Sequence, residues 1–356
     1  MGAGTAQGGA CLLISGKERK NMEFVVFAGV LLLLFIFMIV QELIQTKNQE
    51  KLFKKYLREN YGKEPPKEYS LERFARLGSY LERHKEEKQL DDITWNDLGM
   101  DEVFRRIDRT YSAAGEEYLY YTLRNISCGR EALEHLEEVV NWLQEQENIK
   151  VRIQLLMKRL GHLGKYSLYD YLDNLDYLGE RSNRKIVLGN LLYLPFLLLL
   201  FVQPAMGTIG IVLCMLWHIM TYFREKKVIE PYIISFAYVL RLIDVCEELE
   251  KQKIPVYRRE LDELREALKS LLELRRGAYW VMAGNQGKIG GNPLDILADY
   301  LRMILHLDIF QFNRMLEKLR KKTGQVETML AITGYLDMAI SVGGFRKSLE
   351  GYCIPK

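Results

Sequence analysis

The chain has 356 residues, room for two domains, and its 50 Lys and Arg against 47 Asp and Glu leave a net charge of +3. That balance gives no strong field to draw nucleic acid or lipid by charge alone, and the interspersed signs are the usual face of solvated helices. Five scattered cysteines (Cys11, Cys128, Cys214, Cys246, Cys353) never form a Cys-x-x-Cys pair, which excludes a disulfide framework or a zinc site and fits a reduced compartment.

Residues 1–21 are Gly/Ala-rich and end in a Lys-Glu-Arg-Lys-Asn run that abuts Met22. Such codons can spell a ribosome-binding site, so this segment is expected to be a leader from a misplaced gene start. The apolar run from Phe24 to Ile44 has no charge before Gln41 and nears the roughly 20 residues needed to cross a bilayer. It lacks an Ala-x-Ala cleavage site, so a retained transmembrane helix over 22–44 is expected rather than a signal peptide.

A charged helical linker, 45–90, follows. It is broken at Pro65-Pro66 and carries an amphipathic helix, Leu71–Leu81, with Leu71, Phe74, Leu77 and Leu81 on one side. Trp95 to Gly99 turns into a helix with Val103, Phe104 and Ile107 apolar. Thr110 or Ser112 is a candidate N-cap for the next helix, where Leu119 and Leu123 share a face. Arg130–Gln146 and Lys150–Leu160 are further helices.

A second greasy run, Ile186 to Phe223, is too long for one crossing, and Gln203-Pro204-Ala205-Met206-Gly207 is turn chemistry. A transmembrane hairpin of Ile186–Val202 and Met206–Phe223 is expected; a buried core hairpin is the alternative. Helices then follow at Pro231–Lys253 and Arg258–Arg276, the second with a Leu261/Leu264/Leu268/Leu271 seam and Gly277 as C-cap. A Gly/Asn-rich loop at Ala283–Pro293 leads to helices Leu294–Leu319 and Val326–Gly343. Apart from a short candidate strand at Tyr279–Met282, the class is all-α.

Basic residues flank the hairpin on both sides: Arg181, Arg184 and Lys185 before it, Arg224, Lys226 and Lys227 after it. Both its ends are therefore expected in the cytoplasm and its turn outside. Lys47, Lys51, Lys54, Lys55 and Arg58 place the C-terminal side of the first helix inside as well. The expected localisation is the cell membrane, multi-pass, with cytoplasmic soluble arms and the lipid bilayer as partner.

Chemistry is sparse. Four Gly-Lys pairs (Gly16-Lys17, Gly62-Lys63, Gly164-Lys165, Gly287-Lys288) lack the following Ser or Thr of a phosphate loop. His84, His135, His162, His218 and His306 are isolated. His218, inside the hairpin, reads as reaching the membrane interface. The carboxylate pairs Asp91-Asp92 and Glu116-Glu117 read as solvated. The residues alone point to no enzyme, no cofactor and no metal.

The stretch Thr94–Arg124 resembles the start of the core, or lever, domain of MutS-related proteins, the DNA mismatch repair family, in its membrane-anchored Firmicutes type. Thr110, Gly115 and Leu123-Arg124 carry the lever opening, with Trp95, Asp97 and Glu117 in the same stretch. The helix from Arg130 to Leu143 is similar to the next lever segment. Asn292-Pro293-Leu294-Asp295 and the run from Leu307 to Asn313 recur in that group. The run from Leu336 through Asp337 to Arg346, with Tyr352 and Pro355, resembles the connection to the ATPase domain.

The resemblance implies an elongated helical lever with an outgoing arm, 91–180, an inserted transmembrane hairpin, 185–223, and a returning arm, 224–356, ending at the junction to a missing ATPase. ATP and magnesium are expected only in that ATPase. The mismatch-reading Phe-x-Glu has no counterpart beyond Phe223-Arg224-Glu225 at the membrane exit. Expected partners are an ATPase half or a second copy; DNA is unsupported by charge. The alternative is a membrane-bound helical scaffold with no nucleic-acid role.

Overall fold

The computed structural model describes residues 37–41, 44–63, 69, 71–85, 88–126, 129–163, 167–275 and 300–353. The chain divides into two units, Met1–Asn60 and Tyr61–Lys356. In the first, 37–41 and 44–60 are helical, with Phe37, Met38, Ile39, Val40 and Ile44 exposed. The rest of the expected first crossing lies outside the described residues.

The second unit is all-α. Its described residues contain no strand, only an isolated bridge between Gln89 and Asn125. Helix α1, Leu71–Arg83, buries Leu77 completely. Helix α2, Asp92–Asp97, starts at Asp91, whose side chain accepts from the Thr94 N–H. Gly99, at φ +61°, then turns the chain into α3, Met100–Ile107; glycine adopts that conformation at no steric cost. Helix α4, Ala113–Arg124, is capped by Ser112, whose hydroxyl accepts from the Gly115 N–H, so of the two candidate caps Ser112 serves.

Helices α5, Arg130–Glu145, and α6, Glu147–Leu160, follow. Helix α7, Leu168–Asp173, opens with a Ser167/Asp170 capping box. The hairpin is α8, Arg184–Leu191, α9, Tyr193–Val202, and the first part of α10, Pro204–Glu250.

Two expected helix ends are corrected here. The second hairpin helix does not stop at Phe223, and no new helix starts at Pro231: α10 is one helix of 47 residues, about 70 Å long at 1.5 Å per residue. Anchoring on both sides holds it helical through position 231, where proline forfeits one backbone bond. The helix expected over Leu294–Leu319 is broken at His306, which takes φ +53°. Residues 300–305 are helical, and α12 is Leu307–Leu319. Between them lies α11, Arg258–Leu271, whose Leu261, Leu264, Leu268 and Leu271 are all buried. Gly277, Tyr279–Met282 and Ala283–Pro293 lie outside the described residues.

The last helix, α13, spans Thr323–Ser348 and is the axis of the core. It packs on α3, α4, α5, α6 and α11, burying Val326, Met329, Leu336 and Ala339 completely. Burial of Val326, Met329 and Leu336 contributes on the order of 2 kcal/mol each. Among the described residues, three helical stretches are long and apolar enough to cross a membrane: Arg184–Val202, Pro204–Glu230 and Thr323–Ser348. Only 6% and 28% of the first two apolar windows are buried by protein, against 72% of the third. The hairpin leaves Leu198, Phe201, Val202, Leu213 and Met220 exposed, which is consistent with membrane association; α13 finds its cover in other helices.

Helices α4 and α13 cross without a side chain between them at Gly334. A Cβ there would stand 2.6 Å from the Ala114 carbonyl oxygen, and backbone cannot swing aside. Gly334→Ala is expected to destabilise the protein by about 1–3 kcal/mol. Gly324→Ala on the same helix, where a Cβ meets nothing within 4 Å, should be neutral or stabilising. Thermal unfolding of the two variants checks the contrast; equal melting temperatures would reject the close crossing.

Candidate functional site

The start of α4 is surrounded by buried polar groups from five parts of the chain. Asp337, on α13, is 1% exposed. Its carboxylate accepts from the Ser112 N–H at 2.8 Å, the Ser112 hydroxyl at 2.6 Å and the Tyr111 N–H at 3.0 Å. A helix start leaves four N–H groups without intrahelical partners and a partial positive charge. The acid borrowed from α13 sits at that end, and Gly115 on the first turn leaves it room: a Cβ there would stand 2.6 Å from the Asp337 Cβ.

Asp108 lies just upstream, accepting from the Thr110 N–H at 2.9 Å and hydroxyl at 2.5 Å and from the Tyr69 hydroxyl. Glu116 takes Arg73 Nε at 2.5 Å and Arg76 Nη2 at 2.7 Å, both from α1. Glu117 accepts from the Ser167 hydroxyl at 2.9 Å. Ser341 joins α13 to the same region: its hydroxyl donates to the Ile107 carbonyl and accepts from the Arg109 N–H, each at 2.7 Å.

Glu116 is 0% and Glu117 2% exposed, which corrects the reading of this pair as solvated. They point into protein because α1 and the Ser167 turn supply partners. Four carboxyl groups, Asp108, Glu116, Glu117 and Asp337, are buried here, with Arg73 and Arg76 paired to Glu116 and Arg73 also 3.7 Å from Asp108. Burial relieves the excess by pushing the Glu117 carboxyl up to about 8, against smaller opposing pulls from Ser167 and Arg76. Such an arrangement spends its groups on one another, and its chemical effect is to fix α4 against α1 and α13.

The C-terminal end of α4 has its own cluster. The Trp95 indole N–H donates to Asp101 at 2.7 Å. The Arg124 guanidinium lies 4.5 Å from the Trp95 ring centroid and 4.9 Å from that of Tyr120, and it bonds Asp92 at 2.7 Å. Of the residues singled out from sequence, Thr110, Gly115, Glu117 and Asp337 therefore meet at one hub. Trp95 and Arg124 meet at another, with Leu123 half-buried beside that second cluster. Asp97 is exposed at the end of α2. Tyr352 stands apart beyond α13, and Pro355 lies outside the described residues. Sequence reasoning missed Arg73, Arg76, Asp108 and Ser167, whose partners are 40 or more positions away in most cases.

A third polar group roots the hairpin. The Tyr222 hydroxyl donates to Asp308 at 2.7 Å and accepts from Lys226 at 3.0 Å. Arg181 pairs with Glu225 and reaches Asn313 at 3.2 Å, while Asn190 donates to the Leu305 carbonyl at 3.1 Å. His218 does not reach an interface: it is 1% exposed, beside Gly189, with Nδ1 2.9 Å from the Cys214 carbonyl. No group of three or more His, Cys, Asp or Glu with metal-binding geometry occurs among the described residues.

The class these observations define is an all-α protein with two exposed membrane-length helices rooted in a helical core. Comparison with protein-family models, with curated proteins and with solved structures finds no match.

Proposed function

We propose that this protein is a membrane-anchored coupling module, similar to the MutS lever, that links events at the membrane to a soluble partner. The observation that carries the reading is α10. Its first part is the exposed apolar half of the hairpin, and its last part is core, with Phe236, Leu242, Ile243, Val245 and Cys246 fully buried. A helix continuous through both regions cannot tilt in one without moving in the other, which is how a lever transmits displacement. The hub at Thr110, Gly115, Glu117 and Asp337 supports this reading, because it ties the outgoing arm rigidly to the returning one.

In this proposal the arms lie in the cytoplasm, an ATPase with its ATP and magnesium belongs to a partner domain or chain, and DNA is one candidate ligand of the assembly. A second reading, a membrane scaffold without nucleic acid, is favoured by the small net charge of +3 and by surface cations paired along helices, such as Lys54–Glu50 and Arg130–Glu134. A neighbouring reading frame with Gly-x-x-x-x-Gly-Lys-Ser, whose product copurifies with this chain, carries the first reading. An unrelated neighbour favours the second.

The geometry required by the lever is tested by labelling with a membrane-impermeant maleimide in intact cells. A variant whose sole cysteine is Thr208→Cys, exposed at the start of α10 beside the hairpin turn, should react. A variant keeping only the exposed Cys353 should react after permeabilisation alone. Labelling of Cys353 from outside would overturn the proposal.

A further inference from the structure

A separate concave site lies at the end of α13. Tyr61, Gln144, Lys150, Arg346, Lys347 and Tyr352 line a pocket of about 280 Å³. Lys150 is its unusual member. It sits in the first turn of α6 and is 5% exposed, with Nζ 3.6 Å from the Tyr61 ring centroid. Among the described residues no carboxylate lies within ion-pair distance of it. Lys347 brings a second ammonium to within 5.4 Å of the same ring. Gly62, at φ +90°, makes room for it: a Cβ there would stand 2.8 Å from the Lys347 Cγ. The third cation, Arg346, is held by Glu137 at 2.5 Å and lies 5.4 Å from the Tyr352 ring centroid.

Two of these cations have an ordinary explanation. Arg346 and Lys347 occupy the last turn of α13, where positive charge offsets the helix dipole. Lys150 has none. It stands at the N-terminal, electropositive end of α6, where a cation is disfavoured. A buried ammonium without a direct ion pair is costly; Glu147, one turn away, opposes burial and Lys347 only in part, and the Tyr61 face returns only about 0.5–2 kcal/mol. Burial, with Lys347 adding to it, holds Lys150 below the ordinary lysine range. The free protein thus keeps like charges converging on one cavity, an arrangement that an anion would relieve.

We propose that this pocket binds the phosphate group of a small phosphorylated ligand, with Lys150 and Lys347 as point-charge partners, Arg346 as a directional one, and Tyr61 and Tyr352 as walls for the rest of the molecule. A dianionic phosphate matches two ammoniums that have no direct ion pair, the buried Lys150 and the exposed Lys347, whereas a carboxylate would neutralise only one. The volume lies at the lower end of small-molecule sites, which favours a compact phosphoester.

The test uses the full chain in a non-ionic detergent, titrated with phenyl phosphate, pyrophosphate and dihexanoyl phosphatidic acid, and followed by calorimetry and melting temperature. Saturable binding of a soluble phosphate, weakened at least about tenfold by Lys150→Met and by Lys347→Gln, supports the proposal. Binding of the phosphatidic acid alone, with the same losses, also supports it and assigns the phosphate to a lipid headgroup. Lys150→Met should in addition raise the melting temperature of the ligand-free protein, an effect opposite to that of losing a structural lysine. If Lys150→Met does not fold, Lys347→Gln carries the test. No binding of any of the three probes at millimolar concentration, or binding that Lys347→Gln leaves unchanged, overturns the proposal.

Discussion

Asp337→Ala should lower the stability of the protein by about 3–5 kcal/mol, the range for removing one partner from a buried charged network. The substitution strips three donors at once, the Tyr111 and Ser112 N–H groups and the Ser112 hydroxyl, in a place where Asp337 is 1% exposed and water cannot replace it. Ser341→Ala, which removes a single hydroxyl bridging Ile107 and Arg109, should cost about 1 kcal/mol. Thermal unfolding of the detergent-solubilised chain, with helical circular dichroism as probe, ranks the two. An Asp337→Ala loss no larger than that of Ser341→Ala would show that the carboxylate does not hold α4.

The stability of the protein should also fall as pH rises through neutrality. Glu117 has its carboxyl raised from the ordinary 4.5 to about 8 by burial. The folded state therefore keeps a proton that the unfolded chain has already released. The contribution is complete below pH 4.5 and is lost progressively up to pH 8, with a slope of order 1 kcal/mol per pH unit. Other acids lie close by, Glu116 and Asp170 opposing ionisation of Glu117 and Arg76 favouring it. The measurement is therefore a comparison with Glu117→Gln, which keeps the shape and stays neutral. Between pH 5.5 and 8 the wild type should lose ground steadily against that variant. Parallel curves over this range would mean that Glu117 is ionised in the folded protein.

Some of this architecture was written in local pattern. The Leu261/Leu264/Leu268 seam, the Ser112 cap and the break between the hairpin helices at Gln203 each depend on residues a few positions apart, though Pro204–Gly207, expected as turn, already open α10. The hub was not legible in the same way. Glu116 and Glu117 look like any solvated acidic pair until Arg73, Arg76 and Ser167 arrive from 43, 40 and 50 positions away. Asp337 stood out only by resemblance, and nothing near it in sequence points to Ser112. The continuity of α10 was hidden for a different reason. Charges at Glu225, Lys226 and Lys227 followed by Pro231 are ordinary signs of a helix end, and the burial of the segment from Phe236 to Leu249 against the rest of the protein outweighs them. His306 breaks a run that its own periodicity would have continued.

The span between Ser112 and Asp337 bears on how the protein is made. The two residues that lock α4 are 225 positions apart, and the hairpin lies between them in the order of synthesis. At roughly 5–20 residues per second, the ribosome needs about 10–45 s to travel that distance. Throughout that interval the nascent first arm carries Glu116 and Glu117 without the helix that will cover them, while the hairpin is already available to the insertion machinery. The exposed apolar hairpin thus emerges before the helical core is complete, and α13 closes the structure only afterwards. Synthesis of this chain runs from hairpin to core closure, and a ribosome that stalls before α13 leaves the first arm unlocked.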